Sequence, residues 1–406
     1  MSLAAPSLFS DSGYLRLWLI GLFCGVVRWL ELLAFGVFAF DATGSPALVA
    51  LVVMLRFLPL SLFGVFMGAF SDIVSPERLL RLTILSVMLV CAGMLAAFHF
   101  GDPGYPLIAF AAFASGVFWA TDLPVRRKIL ASHAPPCRLT GAIALDGATS
   151  NGTRLMGPLI GGTLYQTLGM EGVFALGAGL YLAALLIALS LPTTPPAAPG
   201  RNPIRRALKG AREAWRYARS NRDVMRILLV TVAFNIWGFP YLAMIPVIGR
   251  EDLELSASMI GAVTAVEGAL ALAGALFLTR ALPEGWNRPI YWGGVMILSL
   301  TILAMGAFPG FWTLTIGLAI GGFCSAGFAV MQSTLIYQTA PVEMRGRFLG
   351  LMTISIGTGV IGFANVGLTA EVFGASNALL IIGAQGIIPL LLIARGWREL
   401  RFGGGG

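Results

Sequence analysis

HAPPCRLTGAIALDG, residues 133–147, is answered by TAPVEMRGRFLGLMT, residues 339–353, an offset of 206 residues. The same offset carries the alignment without gaps to the Gly-Ala pairs at Gly177 and Gly383. Each stretch sits between the fourth and fifth apolar segments of its own half of the chain. Such a repeat, running in the same direction twice, describes one six-helix design used two times over.

The apolar segments themselves are read from hydropathy. The 406 residues are 57% hydrophobic and 11% charged, with mean hydropathy +0.84. Soluble domains carry about 25% charged residues, so water is not the solvent of this chain. Stretches near the ~20 residues needed to cross a bilayer recur at 14–40, 46–71, 78–99, 105–123, 139–168 and 171–191. The series resumes at 224–249, 256–280, 289–308, 311–338, 347–370 and 375–395. Spanning segments of this length satisfy their backbone only as helices, and the alternation of barrel strands is absent. The fold class expected is therefore an all-α polytopic membrane protein of about twelve spans.

Charge predicts the orientation. With both termini in the cytoplasm, all but four of the 27 Lys and Arg fall near cytoplasmic loops. The four are Arg250, in an outer loop, and Arg28, Arg56 and Arg154, within spans. That asymmetry is the positive-inside pattern. The net charge of +8 then reports topology and not a nucleic-acid partner. The first span follows the N-terminal stretch without a charged n-region or cleavage site, so no cleaved leader is expected.

Other chemistry finds no footing. Cys24, Cys91, Cys137 and Cys324 show no paired spacing, and His99 and His133 fall at opposite membrane faces, so no metal set assembles. No phosphate-binding glycine loop is present to support an ATP-driven pump, and no clustered catalytic set suggests an enzyme. Four segments are expected: a first bundle at 1–192, a basic linker at 193–222, a second bundle at 223–402, and GGGG at 403–406 as a tail or cloning scar. The linker starts Pro-rich and continues as a basic helix with Trp215 and Tyr217, suited to lie along anionic headgroups.

Several motifs resemble one family. GVFMGAFSD, with Gly68 and Asp72, is similar to the loop motif between the second and third helices of the major facilitator superfamily, although Ile73 stands where an arginine usually follows. NGTRLMGPLIGG, residues 151–162, resembles the fifth-helix motif of that superfamily's exporters, ending Gly157-Pro158-x-x-Gly161-Gly162. DATGSP at Asp41, RFLP at Arg56, PVRR at Pro124 and PVEMRGRFLGL at Pro341 resemble the branch of enterobactin exporters and macrolide efflux proteins. The resemblance implies two six-helix bundles and export of a small amphiphilic drug- or siderophore-class molecule across a bacterial inner membrane. It implies alternating access, a proton gradient in place of any cofactor, a lipid bilayer around a monomer, and no nucleic acid. An importer, facilitator or lipid transporter on the same fold is the alternative, and a non-transporting receptor or sensor the alternative of another class.

The resemblance also assigns roles. Gly68 lets helices approach, and Asp72 can cap a neighbouring helix at the start of the eleventh span. A closed cytoplasmic gate is then expected to rest on Asp72, Arg78, Arg126, Glu343 and Arg345. Gly157 and Pro158 loosen the fifth helix, while Gly161 and Gly162 offer a smooth face to Gly261, Gly268 and Gly274 of the eighth.

A cation in mid-membrane costs about 2.5–3.5 kcal/mol on the insertion scale, so Arg154 should face a cavity or a partner. By helical rise, Arg28, Glu31, Arg56 and Glu267 reach a similar depth, where transporters hold substrate. Three arginines against two central glutamates favour an anionic or zwitterionic substrate, unless pairing consumes the charges. Glu31 or Glu267, read as lone carboxyls, is expected to carry proton coupling, with Asp146 nearer the cytoplasm as a further candidate. A Glu31–Arg56 pair that only orients helices is the competing reading. Asn235, Trp237, Tyr241, Gln332 and Tyr337 are expected to line the second bundle's side of the cavity, and Pro240 and Pro246 to kink the seventh helix.

Overall fold

A computed structural model describes residues 12–70, 74–101, 103–133, 136–194, 203–281, 285–395, 397 and 400. Among them there is no strand, and the chain runs as helices joined by short turns. The first half comprises α1 (Ser12–Thr43), α2 (Pro46–Phe70), α3 (Pro76–Phe100), α4 (Gly104–His133) and α5 (Pro136–Leu189). After α6 (Pro203–Ser220), the second half comprises α7 (Arg222–Ala233), α8 (Ile245–Glu251), α9 (Ala257–Ala281), α10 (Asn287–Ala307), α11 (Phe311–Thr339), α12 (Arg345–Gly357), α13 (Gly359–Phe373) and α14 (Ala375–Ala394).

Eleven of the continuous helical stretches among the described residues are long and apolar enough to cross a membrane. The 54-residue α5 accounts for two of the twelve expected spans. Its helix is broken at Gly169, where φ is 63°, a left-handed conformation that costs glycine little. That single residue turns the chain between the segments expected at 139–168 and 171–191. The fourth segment differs from expectation, because α4 continues ten residues past 123. Arg126, Arg127 and Lys128 therefore lie on a helix and not in a loop.

The seventh span is interrupted. After α7 the backbone widens into a π segment at Phe234–Gly238, then tightens to a 3-10 segment at Pro240–Met244 before α8. Phe239 N donates to the Phe234 carbonyl five residues back, at 2.7 Å. Pro240 has no N–H for a helical ladder, and the backbone absorbs that loss by changing its winding. The kink expected from Pro240 and Pro246 is found here.

The halves meet along three seams, α5 against α9, α2 against α12 and α13, and α1 against α8. Small residues make the first seam possible. A Cβ on Gly268 would fall 2.5 Å from the Arg154 carbonyl carbon, and one on Gly261 or Gly162 would strike the opposing backbone. Gly157 and Gly161 serve a different contact, against Trp29 and Leu30 of α1 within the first half. Gly274, expected beside them, meets Phe323 and Ala326 of α11. The fifth-helix motif therefore packs on two sides at once.

The linker helix α6 packs part of its apolar face on protein, while Trp215 stays exposed. Ala214 and Ala218 are fully buried, Tyr217 meets the Phe348 ring edge-on at 5.6 Å, and Glu213 pairs with Arg347 at 2.6 Å. It packs on both α2 and α12, one from each half. Asn221 then caps α7, accepting from Asp223 N and Val224 N at 3.1 and 3.2 Å.

Candidate functional site

Charges buried in the first half form two linked clusters. Arg56 donates to Glu31 at 3.0 Å and to the Arg28 carbonyl oxygen at 2.8 Å. Ser115 adds a 2.9 Å hydrogen bond to the same Glu31 carboxylate, and the Cys91 thiol lies 3.5 Å from its other oxygen. Glu31 is 1% exposed and Arg56 3%, so a buried carboxylate meets a buried guanidinium with its remaining lone pairs satisfied. Arg28 does not pair with Glu31 one turn away. Its guanidinium donates to Asp122 at 2.9 Å and sits 5.3 Å from the Trp119 ring centroid.

Asp122 is the residue the sequence reading missed. It is fully buried, joined by Arg28 from α1 and by Arg126 one turn along its own helix at 3.3 Å. Arg126 in turn holds Asp146 of α5. The signal was an Asp four residues before an Arg at the end of an apolar segment, the spacing that brings opposite charges together on a helix. Counted among these clusters, Arg28, Arg56 and Arg126 are balanced by Glu31, Asp122 and Asp146. The expected excess of buried arginine is gone, so charge count alone no longer favours an anionic substrate.

The remaining pair crosses between halves. Arg154 of α5 donates to Glu267 of α9, which is 2% exposed, and lies 5.0 Å from the Trp29 ring centroid. Neither Glu31 nor Glu267 is therefore a lone carboxyl. The Arg154–Glu267 pair borders a cavity between the halves. Its walls are apolar, from Trp29, Leu33 and Phe57 on one side and Phe239, Leu242 and Phe363 on the other. Phe57 and Phe363 stack across the junction at 5.2 Å.

The polar residues expected on the second half's wall do not line this cavity. Asn235 donates to the Thr231 carbonyl at 2.8 Å, and Gln332 approaches the Thr231 hydroxyl at 3.4 Å. Trp237 donates to Gln385 at 3.2 Å, and Tyr241 is buried. Tyr337 is exposed and carries Arg345, which donates to its carbonyl at 2.9 Å. The broken seventh span presents the Phe239–Pro246 stretch to the cavity in their place.

Among the described residues, the members of the expected gate set are not joined to one another. Asp72 lies outside the described residues, as does the side-chain environment of Gly68. Arg78 and Glu343 are exposed, Arg345 serves Tyr337, and Arg126 belongs to the Asp122 cluster. Among the described residues, several polar contacts between halves lie at the end away from α6. Arg250 donates to Asp41 at 2.8 Å, beside the Tyr165 hydroxyl at 2.9 Å from the same oxygen. Ser258 N donates to Gln166 at 3.0 Å, and Glu371 of α13 accepts from Ser45 and Ala47 at the start of α2.

Residues 17–297 match a known family model, described as the Major Facilitator Superfamily. The chain belongs to the major facilitator superfamily. It is 24% identical over 315 residues to an uncharacterised MFS-type transporter, y4rN, of Sinorhizobium fredii, covering 76% of each chain. It is 22% identical over 263 residues to the staphyloferrin A transporter of Staphylococcus aureus, covering 63% of each. Its fold matches a bacterial homologue of the human lysosomal transporter Spinster, in an inward-facing and occupied conformation. That match has a TM-score of 0.75 at 14% identity, covering 99% of this chain and 100% of the other. These relatives and this fold are those of membrane transporters and not of enzymes.

Proposed function

We propose that this transporter exports a small amphiphilic molecule, of drug or siderophore class, from a bacterial cytoplasm by alternating access. The carrying observation is the cavity between halves, lined by apolar side chains apart from Arg154 on one wall and Glu267 and Thr264 on the other. Each wall belongs to a different bundle, so rocking the bundles changes what the cavity meets. Both termini and α6 lie on the cytoplasmic side in this reading, in accord with the placement of basic residues. The contacts Asp41–Arg250, Gln166–Ser258 and Glu371–Ser45 then seal the outer end. The gate expected from Asp72, Arg78, Glu343 and Arg345 belongs to the opposite state, which explains why its described members stand apart here.

Proton antiport is part of the proposal, with Glu267 as the coupling carboxyl. Glu31 is fully engaged by Arg56 and Ser115 away from the cavity, whereas Glu267 borders it. Counterflow in proteoliposomes with a panel of drugs, siderophores and lysolipids tests the reading. Exchange of at least one class, and uphill movement under an imposed proton gradient that Glu267→Gln abolishes, is expected. Exchange without any gradient-driven accumulation would make the chain a facilitator, and no exchange at all would remove the transport proposal.

A further inference from the structure

Two hydrogen-bond donors beside the central cavity are buried without an acceptor. Of the three nitrogens on Arg154, Nη2 is held by Glu267, Nε is buried without a partner, and Nη1 makes no hydrogen bond among the described residues. The indole Nε1 of Trp29, whose ring lies against Arg154, is likewise buried without a partner. Buried donors are nearly always satisfied, and leaving one unpaired costs stability. The side-chain acceptors on the lining are two: Glu267, whose Oε1 already accepts from Arg154, and the Thr264 hydroxyl, whose own proton goes to the Ile260 carbonyl at 2.7 Å. The rest of the wall is hydrocarbon and aromatic ring.

We infer that the ligand of this cavity is an amphiphile whose polar end presents oxygen acceptors and no cationic donor, and that Arg154 and Trp29 receive that end. The inference rests on the transport reading above and narrows its substrate class. An ester, carbonyl or carboxylate oxygen fills the open valences of Arg154 while Glu267 keeps its place on Nη2. An ammonium meets the like charge of the guanidinium beside Glu267, whose Oε1 Arg154 already holds. The aromatic walls from Trp29, Phe57, Phe239 and Phe363 take the apolar body, burying surface at about 25 cal/mol per Å² whatever the head. The head group therefore decides selectivity, and the body contributes affinity common to all. Because Nε and Nε1 are closed to solvent as they stand, the ligand engages them by a side-chain shift on entry.

Binding of three compounds sharing one octylphenyl body, a methyl ester, a carboxylate and a primary amine, is measured on the purified transporter in nanodiscs. The ester and carboxylate are expected to bind roughly tenfold or more tighter than the amine, the scale of one hydrogen bond to a charged group. Trp29→Phe keeps the ring and the Arg154–Glu267 pair, and should cost the ester about two- to fivefold. Arg154→Lys keeps the ion pair but not the forked donors, and should reduce the preference for the ester over the amine several-fold. Equal binding of all three, or tighter binding of the amine, overturns the acceptor-head inference and leaves the transport reading standing. Preference for the ester that survives both substitutions overturns the role given to these two residues. If none of the three binds, the inference falls, and a blank counterflow panel would take the transport reading with it.

Discussion

Arg28 and Asp122, ninety-four residues apart in sequence, meet at 2.9 Å in the interior of the first bundle. The aspartate is 0% exposed and has a second arginine, Arg126, on its other oxygen. Removing one partner from such a pair leaves a bare charge in a low-dielectric interior, which costs about 3–5 kcal/mol. Asp122→Leu is expected to lower the melting temperature sharply in detergent. Adding Arg28→Met should restore much of the loss, because Arg126 still has Asp146. A single variant as stable as the parent would mean that the pair is solvated in the membrane.

The Arg154–Glu267 pair predicts a different pattern, since it joins two bundles and borders the cavity. Arg154→Met leaves Glu267 unpaired and should be destabilised, while Arg154→Met with Glu267→Gln should recover thermal stability. The double variant should still fail in counterflow, because the donors that meet substrate are gone. Recovery of transport together with stability would make the pair a structural tie only.

Glu371 makes a cap in trans. Ser45 accepts from Leu48 N at 3.2 Å at the start of α2, and Glu371, from the other half, accepts from the Ser45 hydroxyl at 2.7 Å and Ala47 N at 3.1 Å. A cap of this kind contributes about 0.5–2 kcal/mol, and here it is realised only when this end is closed. Glu371→Ala should therefore open that end, by about fivefold in population for one kcal/mol. Labelling of Thr264→Cys in the cavity by an impermeant maleimide from outside should rise accordingly. An unchanged labelling rate would show that the Asp41–Arg250 contact suffices alone.

Gly268 and Gly179 separate close packing from helix propensity. A Cβ at 268 meets backbone of α5 at 2.5 Å, whereas one at 179 meets nothing within 4 Å. Gly268→Ala should push α9 from α5 at an overpacking cost of about 1–3 kcal/mol, lengthening spin-label distances between the halves. Gly179→Ala should leave those distances alone and stabilise by up to about 1 kcal/mol. The same response from both would remove the seam argument.

The solvent, the number of spans and the repeat were legible along the chain because they depend on local composition. Hydropathy reports each segment's environment one at a time, and a helix in lipid satisfies its own backbone. Even the break between the fifth and sixth spans showed, as a change of segment near Gly169. The linker helix was visible too, but not its docking on α2 and α12, since an amphipathic face does not say whether lipid or protein covers it.

Partners were another matter. Arg154 demanded a carboxylate or a cavity by the energetics of a buried cation, and depth placed Glu267 within range, yet only the fold brought these two together and sent Arg28 to Asp122. Depth along a helix fixes one coordinate, while pairing depends on helix rotation and on which helices are neighbours, and those follow from packing across the whole molecule. The cavity wall was hidden for a related reason. In a chain this apolar, Phe57, Phe239 and Phe363 look the same whether they face lipid, core or ligand, and only the junction of two bundles tells them apart.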